Sequence, residues 1–316
     1  MRFWKRRPSD EAGALDPWED LLEEMTLDAK RYFEHAIRPG GNERYSELEG
    51  RQLDASATRQ YHRIEKGFSL RATKHPFGNK AIPALNLVLE NPKTDHDALY
   101  AQEARAVLTA LEQWNDGQVR VDDVAPRGDS LPQNPLDPET LAQFITSRHS
   151  IRHFEDRPVS RELVTEAVRL AGYAPSVCNR QGWRAHWYDD PERIEHILKL
   201  HSGSRGFSDR IPGLFVVTFD IRAFEDMLER NQGWIDGGLF SMTLLLALHG
   251  LGLGAVPLNW ASRNRRSGYL RNRGDIPDHE NIVMLIAVGH PDPEHRVARS
   301  ARRPVSEILR FGNPER

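Results

Sequence analysis

Gly250-Leu251-Gly252-Leu253-Gly254-Ala255-Val256-Pro257-Leu258-Asn259-Trp260 is the stretch on which the fold turns. Its spaced glycines suggest a dinucleotide-binding turn. That motif, however, must follow a strand and open a helix. Here the order is reversed. The long apolar stretch Gly237 to Gly250 comes first and reads as a buried core helix, and Gly254 to Leu258 follows as a strand. The glycines are therefore a helix C-cap and a tight turn, and a Rossmann fold is excluded.

Working outward, Leu214 to Phe219 is a continuous apolar run of the buried-strand type, and Ile282 to Val288 is another, closed by Gly289. Arg184 to Tyr188 also reads as a strand. Pro138 to Ser147 and Arg161 to Ala171 read as helices, the second with Ser160 where an N-cap belongs. Helices and strands interleave, which predicts an α+β sandwich with helices laid on a central sheet. Upstream, residues 1–114 read as mainly helical, through the apolar spacing of Leu21 to Ala36 and Ala98 to Trp114. Between these lie Ile64-Glu65-Lys66-Gly67 and Pro76-Phe77-Gly78, which read either as an amphipathic helix ending at Gly67 and a turn, or as a surface for a substrate or partner. Residues 115–138 are rich in Asp, Pro and Gly and form the expected linker to a second domain over 139–316.

The chain of 316 residues carries 43 basic and 46 acidic residues, so no charge excess points to nucleic acid. Lysine is scarce: there are seven, and Lys199 is the only one after Lys93. Arginine thus supplies nearly all positive charge in the second half, which suits anion binding by guanidinium forks. Cys178 is the single cysteine, excluding internal disulfides and cysteine-rich zinc sites and agreeing with a reducing cytoplasm. No metal site is expected. The basic start, Met1-Arg2-Phe3-Trp4-Lys5-Arg6-Arg7-Pro8, is followed by no apolar run and does not read as a secretory signal, and Leu239 to Leu251 is too short and mixed to span a membrane.

Three segments carry candidate chemistry. In Arg148-His149-Ser150-Ile151-Arg152, alternate residues Arg148, Ser150 and Arg152 share one side of an extended segment. Two guanidinium groups flanking a hydroxyl can receive a phosphate, although a solvated basic turn has the same composition. The loop Ala174-Pro175-Ser176-Val177-Cys178-Asn179-Arg180-Gln181-Gly182-Trp183 crowds amide and hydroxyl groups that can read a planar heterocycle. Cys178 invites a nucleophile reading, but no histidine can be assigned to it, and a buried cysteine packs as a small apolar residue. No catalytic side chain is identified. The third segment is the glycine-rich stretch already quoted.

Taken in order, these segments resemble the nitroreductase family. Its members open on Arg-x-Ser-x-Arg/Lys, continue with Ala-Pro-Ser-x-x-Asn-x-Gln-x-Trp, and then show a helix ending Gly-Leu-Gly. A late strand running into glycine, here Val288-Gly289, and an Arg-Lys/Arg-Pro, here Arg302-Arg303-Pro304, complete a pattern that covers about residues 139–310. The chain departs from it at Gly182, where many members have proline, and at Asn259, where many have an acid. The resemblance implies a mostly antiparallel central sheet flanked by helices, and a homodimer with FMN at the subunit interface. It implies Arg148, Ser150, Arg152 and Arg302 near the phosphate and pyrimidine end, and Pro175, Ser176, Asn179 and Gln181 along the ring. Pro257, Leu258, Asn259 and Trp260 would lie against its other face. Function follows as NADH- or NADPH-driven, ping-pong reduction of a small-molecule acceptor of nitro or quinone type. The alternatives are a dedicated biosynthetic flavoenzyme, such as a dehydrogenase or dehalogenase, and a protein that keeps the fold without turnover.

Overall fold

The computed structural model describes residues 17–118 and 121–312. The basic start of the chain and Val119 of the linker lie outside the described residues. Four strands, β1 (Trp183–Tyr188), β2 (Gly213–Asp220), β3 (Gly254–Asn259) and β4 (Glu280–Gly289), form one sheet in the order β1-β2-β4-β3. Every pairing within it is antiparallel. The outer edge of β3 gains a short parallel bridge between Ser150 and Ala255, with the Ile151 amide donating to the Ala255 carbonyl at 3.1 Å. The protein is thus α+β, with substantial helix on both sides of an antiparallel sheet.

All eight residues of β2 are buried, so both faces of the sheet must be covered. On one face α6 (Arg161–Ala171) and α8 (Gln232–Gly250) set Ala167, Phe240 and Leu244 against Phe215 and Val217. Trp183 stacks on Phe240 with ring centroids 5.1 Å apart. On the other face α7 (Pro191–Leu198) and α9 (Asn264–Gly274) set Ile194, Ile197 and Leu270 against Leu214 and Val216.

A third core belongs to the first part of the chain. Helix α1 (Pro17–His35) precedes α2 (Arg51–Phe68), α3 (Ala81–Leu89) and α4 (Leu99–Asn115). Leu53, Ile64, Leu85, Val107 and Leu111 from the last three enclose Phe219, Ile221 and Phe224 from the segment leaving β2. Backbone bonds from Ile37 to Phe224 (2.9 Å) and from Asp226 back to Ile37 (3.2 Å) tie the two parts together, and Glu225 pairs with both Arg44 and Arg59. Helix α5 (Pro138–Ser147) follows the linker, and α10 (Val305–Ile308) lies near the C-terminus. No helix among the described residues is long and apolar enough to cross a membrane.

Two expectations change. Helix α2 runs one residue past Gly67, which is not a cap: a Cβ there would sit 2.5 Å from the Phe77 ring. Helix α8 begins at Gln232, five residues before Gly237. Its early glycines hide a helix rather than breaking one. A Cβ on Gly233 would fall 2.2 Å from the Phe219 ring, and one on Gly237 2.6 Å from Val283, so both let α8 press onto the sheet. Gly233→Ala is therefore expected to destabilise the protein by about 1–3 kcal/mol through overpacking, despite alanine's better helix propensity. Denaturant unfolding reads this, and unchanged or higher stability would show that α8 does not need the close approach.

Candidate active site

The first group of candidate residues converges. Arg148, Ser150 and Arg152 share a cavity of about 220 Å³ with Ala298, Ser300 and Arg302. The bridge to Ala255 fixes the extended backbone of this segment, but the intervening His149 lines the same cavity, so alternation alone does not sort the four residues. The guanidinium of Arg152 reaches the Ser150 carbonyl at 3.4 Å, and that of Arg302 bonds the Ser300 carbonyl. Among the described residues none of the three arginines pairs with a carboxylate. Arg302 lies 150 residues beyond Arg152 in sequence, so its place beside the other two is a product of the fold.

An adjoining cavity of about 320 Å³ shares Arg148 and is lined also by His249, Leu253 and Pro291. His249, which the sequence did not single out, sits 2.9 Å from the Ser147 hydroxyl. Burial holds its pKa below the ordinary imidazole value, and the positive charge of Arg148 lowers it further. It therefore favours the neutral form beside the arginines.

The second group, between α6 and β1, is a strained loop. Cys178, Asn179 and Gln181 all have positive φ, at 49°, 55° and 48°, a region that non-glycine residues rarely enter. Several bonds impose it. The Ser176 hydroxyl accepts from the Gln181 amide at 3.0 Å, and the Val177 amide donates to the buried Asp236 carboxylate at 3.2 Å. Burial raises the Asp236 pKa, against the lowering effect of its bonds from Gln232 and Val177. Arg180, 2% exposed, turns inward and forms a fork with Glu229 at 2.7 and 2.8 Å. From the helical region, Arg51 donates to the carbonyls of both Arg180 and Gln181. Pro175, Asn179 and Gln181 are left exposed and Ser176 half-buried. Cys178 is a half-buried free thiol, and no histidine hydrogen-bonds to it among the described residues.

Strand alternation divides the third group. Pro257 and Asn259 are exposed, whereas Leu258 and Trp260 point into the core on the other face with Val256. The Trp260 indole donates to the Ser267 hydroxyl at 3.0 Å. Leu258 and Trp260 thus reach a ligand on the exposed side only through their backbone. The Asn259 carbonyl lies 3.0 Å from His201 Nε2, and His201 with Lys199, Arg205 and Arg266 lines a wider cavity of about 890 Å³.

Within one chain the first and third groups are neighbours along β3, but the second is remote. Its loop packs against Asp236 near the start of α8, while the first group meets His249 near its end. The 19 residues of α8 separate the two ends by about 27 Å at 1.5 Å per residue.

Comparison with known proteins places this geometry in context. Residues 145–210 match a family model described as the nitroreductase family. A protein of Methanothermobacter thermautotrophicus assigned as an NADH dehydrogenase/NAD(P)H nitroreductase is 31% identical over 153 residues, 48% of this chain and 77% of its own length. The FMN reductase [NAD(P)H] of Bacillus subtilis is 26% identical over 179 residues, 52% of this chain and 69% of its own. Iodotyrosine deiodinase 1 of Homo sapiens is 22% identical, over a longer span of 251 residues, 69% of this chain and 85% of its own.

The bonds from Arg51 make a local test possible. Arg51→Ala removes two charge-assisted hydrogen bonds from the strained loop, each worth about 1.5–3 kcal/mol. Amide exchange at residues 177–182 is expected to accelerate by roughly 10- to 100-fold or more, with exchange in β2 and β4 unchanged. Equal protection of the loop in the variant would show that Arg51 does not hold it.

Proposed function

Because the chain belongs to the nitroreductase family, we propose that it is an FMN-dependent oxidoreductase that takes electrons from NADH or NADPH and passes them, in a ping-pong cycle, to a nitro or quinone-like acceptor. The observation that carries this reading is the convergence of Arg148, Ser150, Arg152 and Arg302 on one cavity. Three cations without carboxylate partners among the described residues, beside a hydroxyl, suit a phosphate monoester dianion. At about 220 Å³ the cavity is smaller than the roughly 300–1,000 Å³ of sites that enclose a whole ligand. It fits the phosphate end of FMN. Pro257 and Asn259, with the backbone of Leu258 and Trp260, would then face the ring, as would Pro175, Ser176, Asn179 and Gln181. We read residues 139–316 as the flavin domain. Bound FMN supplies the two-electron chemistry, so the chain need contribute only binding, orientation and electrostatics. The single cysteine agrees with a reducing cytoplasmic setting.

The second group can join the others through a second copy of the chain. Ile235, Leu239 and Met242 form an exposed apolar stripe along α8, continued by the half-buried Leu246. Helices α1, α5 and α10 bury no residue within the chain, although α5 presents Leu141 and Ile145 and α10 presents Val305 and Ile308. A two-fold pairing across α8 sets the start of one helix beside the end of the other. It would carry the 174–183 loop of one chain toward the arginine cavity of its partner. We therefore propose a homodimer whose flavin sites are shared.

A second reading, reductive dehalogenation, is favoured by the length of the similarity to iodotyrosine deiodinase, which covers 69% of this chain. Both readings keep the same flavin site and differ in the acceptor. Steady NAD(P)H oxidation with a nitroaromatic supports the first, and halide release from a halophenol under reducing conditions supports the second.

Purified protein is expected to be yellow and to release FMN rather than FAD, about one per chain. Colourless protein that fails to take up FMN would overturn the flavoenzyme reading. Arg148→Ala, Arg152→Ala and Arg302→Ala should each weaken FMN binding by roughly 10- to 100-fold, the equivalent of a charge-assisted contact of about 1.5–3 kcal/mol. Arg152→Lys should lose less, since it keeps the charge and gives up the fork. Unchanged affinity in all three alanine variants, with intact circular dichroism, would place the phosphate elsewhere. Leu239→Asp is expected to convert a dimer into a monomer by light scattering and to lower flavin content in step. A flavin-loaded wild-type monomer at micromolar concentration would refute the shared site.

A further inference from the structure

The turn between α2 and α3 does more than connect two helices. Its backbone is pinned to the end of α4. The Asn115 amide group bonds both the N–H and the carbonyl of Phe77, each at 3.1 Å. The Trp114 indole donates to the Lys74 carbonyl at 3.1 Å, and the His75 ring lies 2.9 Å from the Trp114 carbonyl. Packing removes the remaining slack. A Cβ on Gly78, where φ is +97°, would fall 2.5 Å from Leu111, and Phe77 meets Phe68 edge to face with centroids 5.1 Å apart. Such rigidity fixes the backbone from which the turn presents its side chains.

Those side chains are cationic. Arg63, Lys74 and Lys80 line a groove of about 320 Å³ with Asn79, and Lys66 and Arg71 flank it in sequence. Three of the seven lysines in the chain fall between residues 66 and 80. Lys93 and Lys199 each pair with a glutamate, whereas none of the five cations here has a carboxylate partner among the described residues. The same groove receives the start of α3 at Ala81, whose N-cap, Lys80, makes no side-chain capping bond. The first two N–H groups of α3 are already bonded to the Gly78 carbonyl, at 2.9 and 3.0 Å, and Pro83 has none, so the site rests on the side chains.

We propose that this groove is a second anion site, which binds the phosphate or diphosphate group of a small soluble ester. Arg63 supplies a planar fork and the two lysines supply mobile point charges, a donor set that suits several phosphate oxygens at once. The site is separate from the Arg148–Arg302 cavity. The two cavities share no lining residue, and Arg63 lies 12 residues along α2 from Arg51, the residue that holds the 174–183 loop, about 18 Å at 1.5 Å per residue.

The test is a calorimetric titration of the flavin-loaded protein with inorganic pyrophosphate at constant ionic strength, with chloride as the blank and flavin absorbance followed in parallel. Saturable binding is expected, with flavin retained. Arg63→Ala and Lys80→Ala should each weaken it by roughly tenfold or more, and Lys74→Glu should abolish it, while Lys93→Ala leaves it unchanged. The affected side chains are exposed, and near-UV circular dichroism confirms that the variants fold. Three results would overturn the proposal: no saturable binding by the wild type, equal affinity in all groove variants, or loss of binding only in Arg302→Ala.

Discussion

The run of chain from Gly213 to Phe224 enters all three hydrophobic cores. Leu214 and Val216 face α7 and α9, Phe215 and Val217 face α6 and α8, and Phe219, Ile221 and Phe224 fill the core of the helical region. A strand with no exposed residue cannot exist at a surface, so the layers on either side are a requirement of its sequence rather than an addition to it. Its far end is polar and equally buried. Asp220 is 1% exposed and held by a fork from Arg222, with His279 nearby. Burial alone would raise the Asp220 pKa, but the bonds and charge of Arg222 bring it below the usual carboxylate range. Next to it, Glu280 accepts from Thr218 and lies 2.6 Å from His186. The sheet and the helical region therefore meet across a polar layer whose buried carboxylates are paired, where an unpaired carboxylate would be costly.

Most of this was legible where the period of the sequence was strong. The apolar runs at 214–219 and 282–288 have no helical alternative once flanking turns are counted, and both are strands. Ser160 reads as an N-cap and its hydroxyl accepts from the Leu163 amide. Reading failed where glycine served packing instead of turning. Gly67 reads as a helix end and Gly237 as a helix start, yet each sits inside its helix, at a place too close to the Phe77 ring or to Val283 for a larger residue. Helix α3 carries Pro83 in its first turn, a position that tolerates proline.

The candidate site divides in the same way. Alternation along an extended segment predicts Arg148, Ser150 and Arg152 on one side; the fold gathers all three at one cavity, but with the intervening His149 beside them. The same alternation, applied to β3, separates Pro257 and Asn259 from Leu258 and Trp260. Residues that act from a distance left no local signal. Arg51 stands 129 residues from the carbonyl that it holds, and Asp236 stands 59 residues from the Val177 amide. Only a fold can show such pairings, because nothing in the sequence near Arg51 differs from an ordinary exposed helix start.

That distance bears on how the helical region relates to the site. Three positive-φ residues close together, none of them glycine, cost on the order of 1–3 kcal/mol each and persist only where their surroundings over-determine them. Part of that surrounding is local, in Ser176 and Asp236. The rest is the guanidinium of Arg51, fixed to Asp54 and presented by the first turn of α2. Charge-assisted bonds of about 1.5–3 kcal/mol each are of the size needed to offset the strain. Remove the helical region and the loop keeps its composition but loses the donor that holds its carbonyls. Residues 17–115 are therefore a structural component of the candidate site, and a boundary drawn through the linker divides the chain by composition while the loop joins it by geometry.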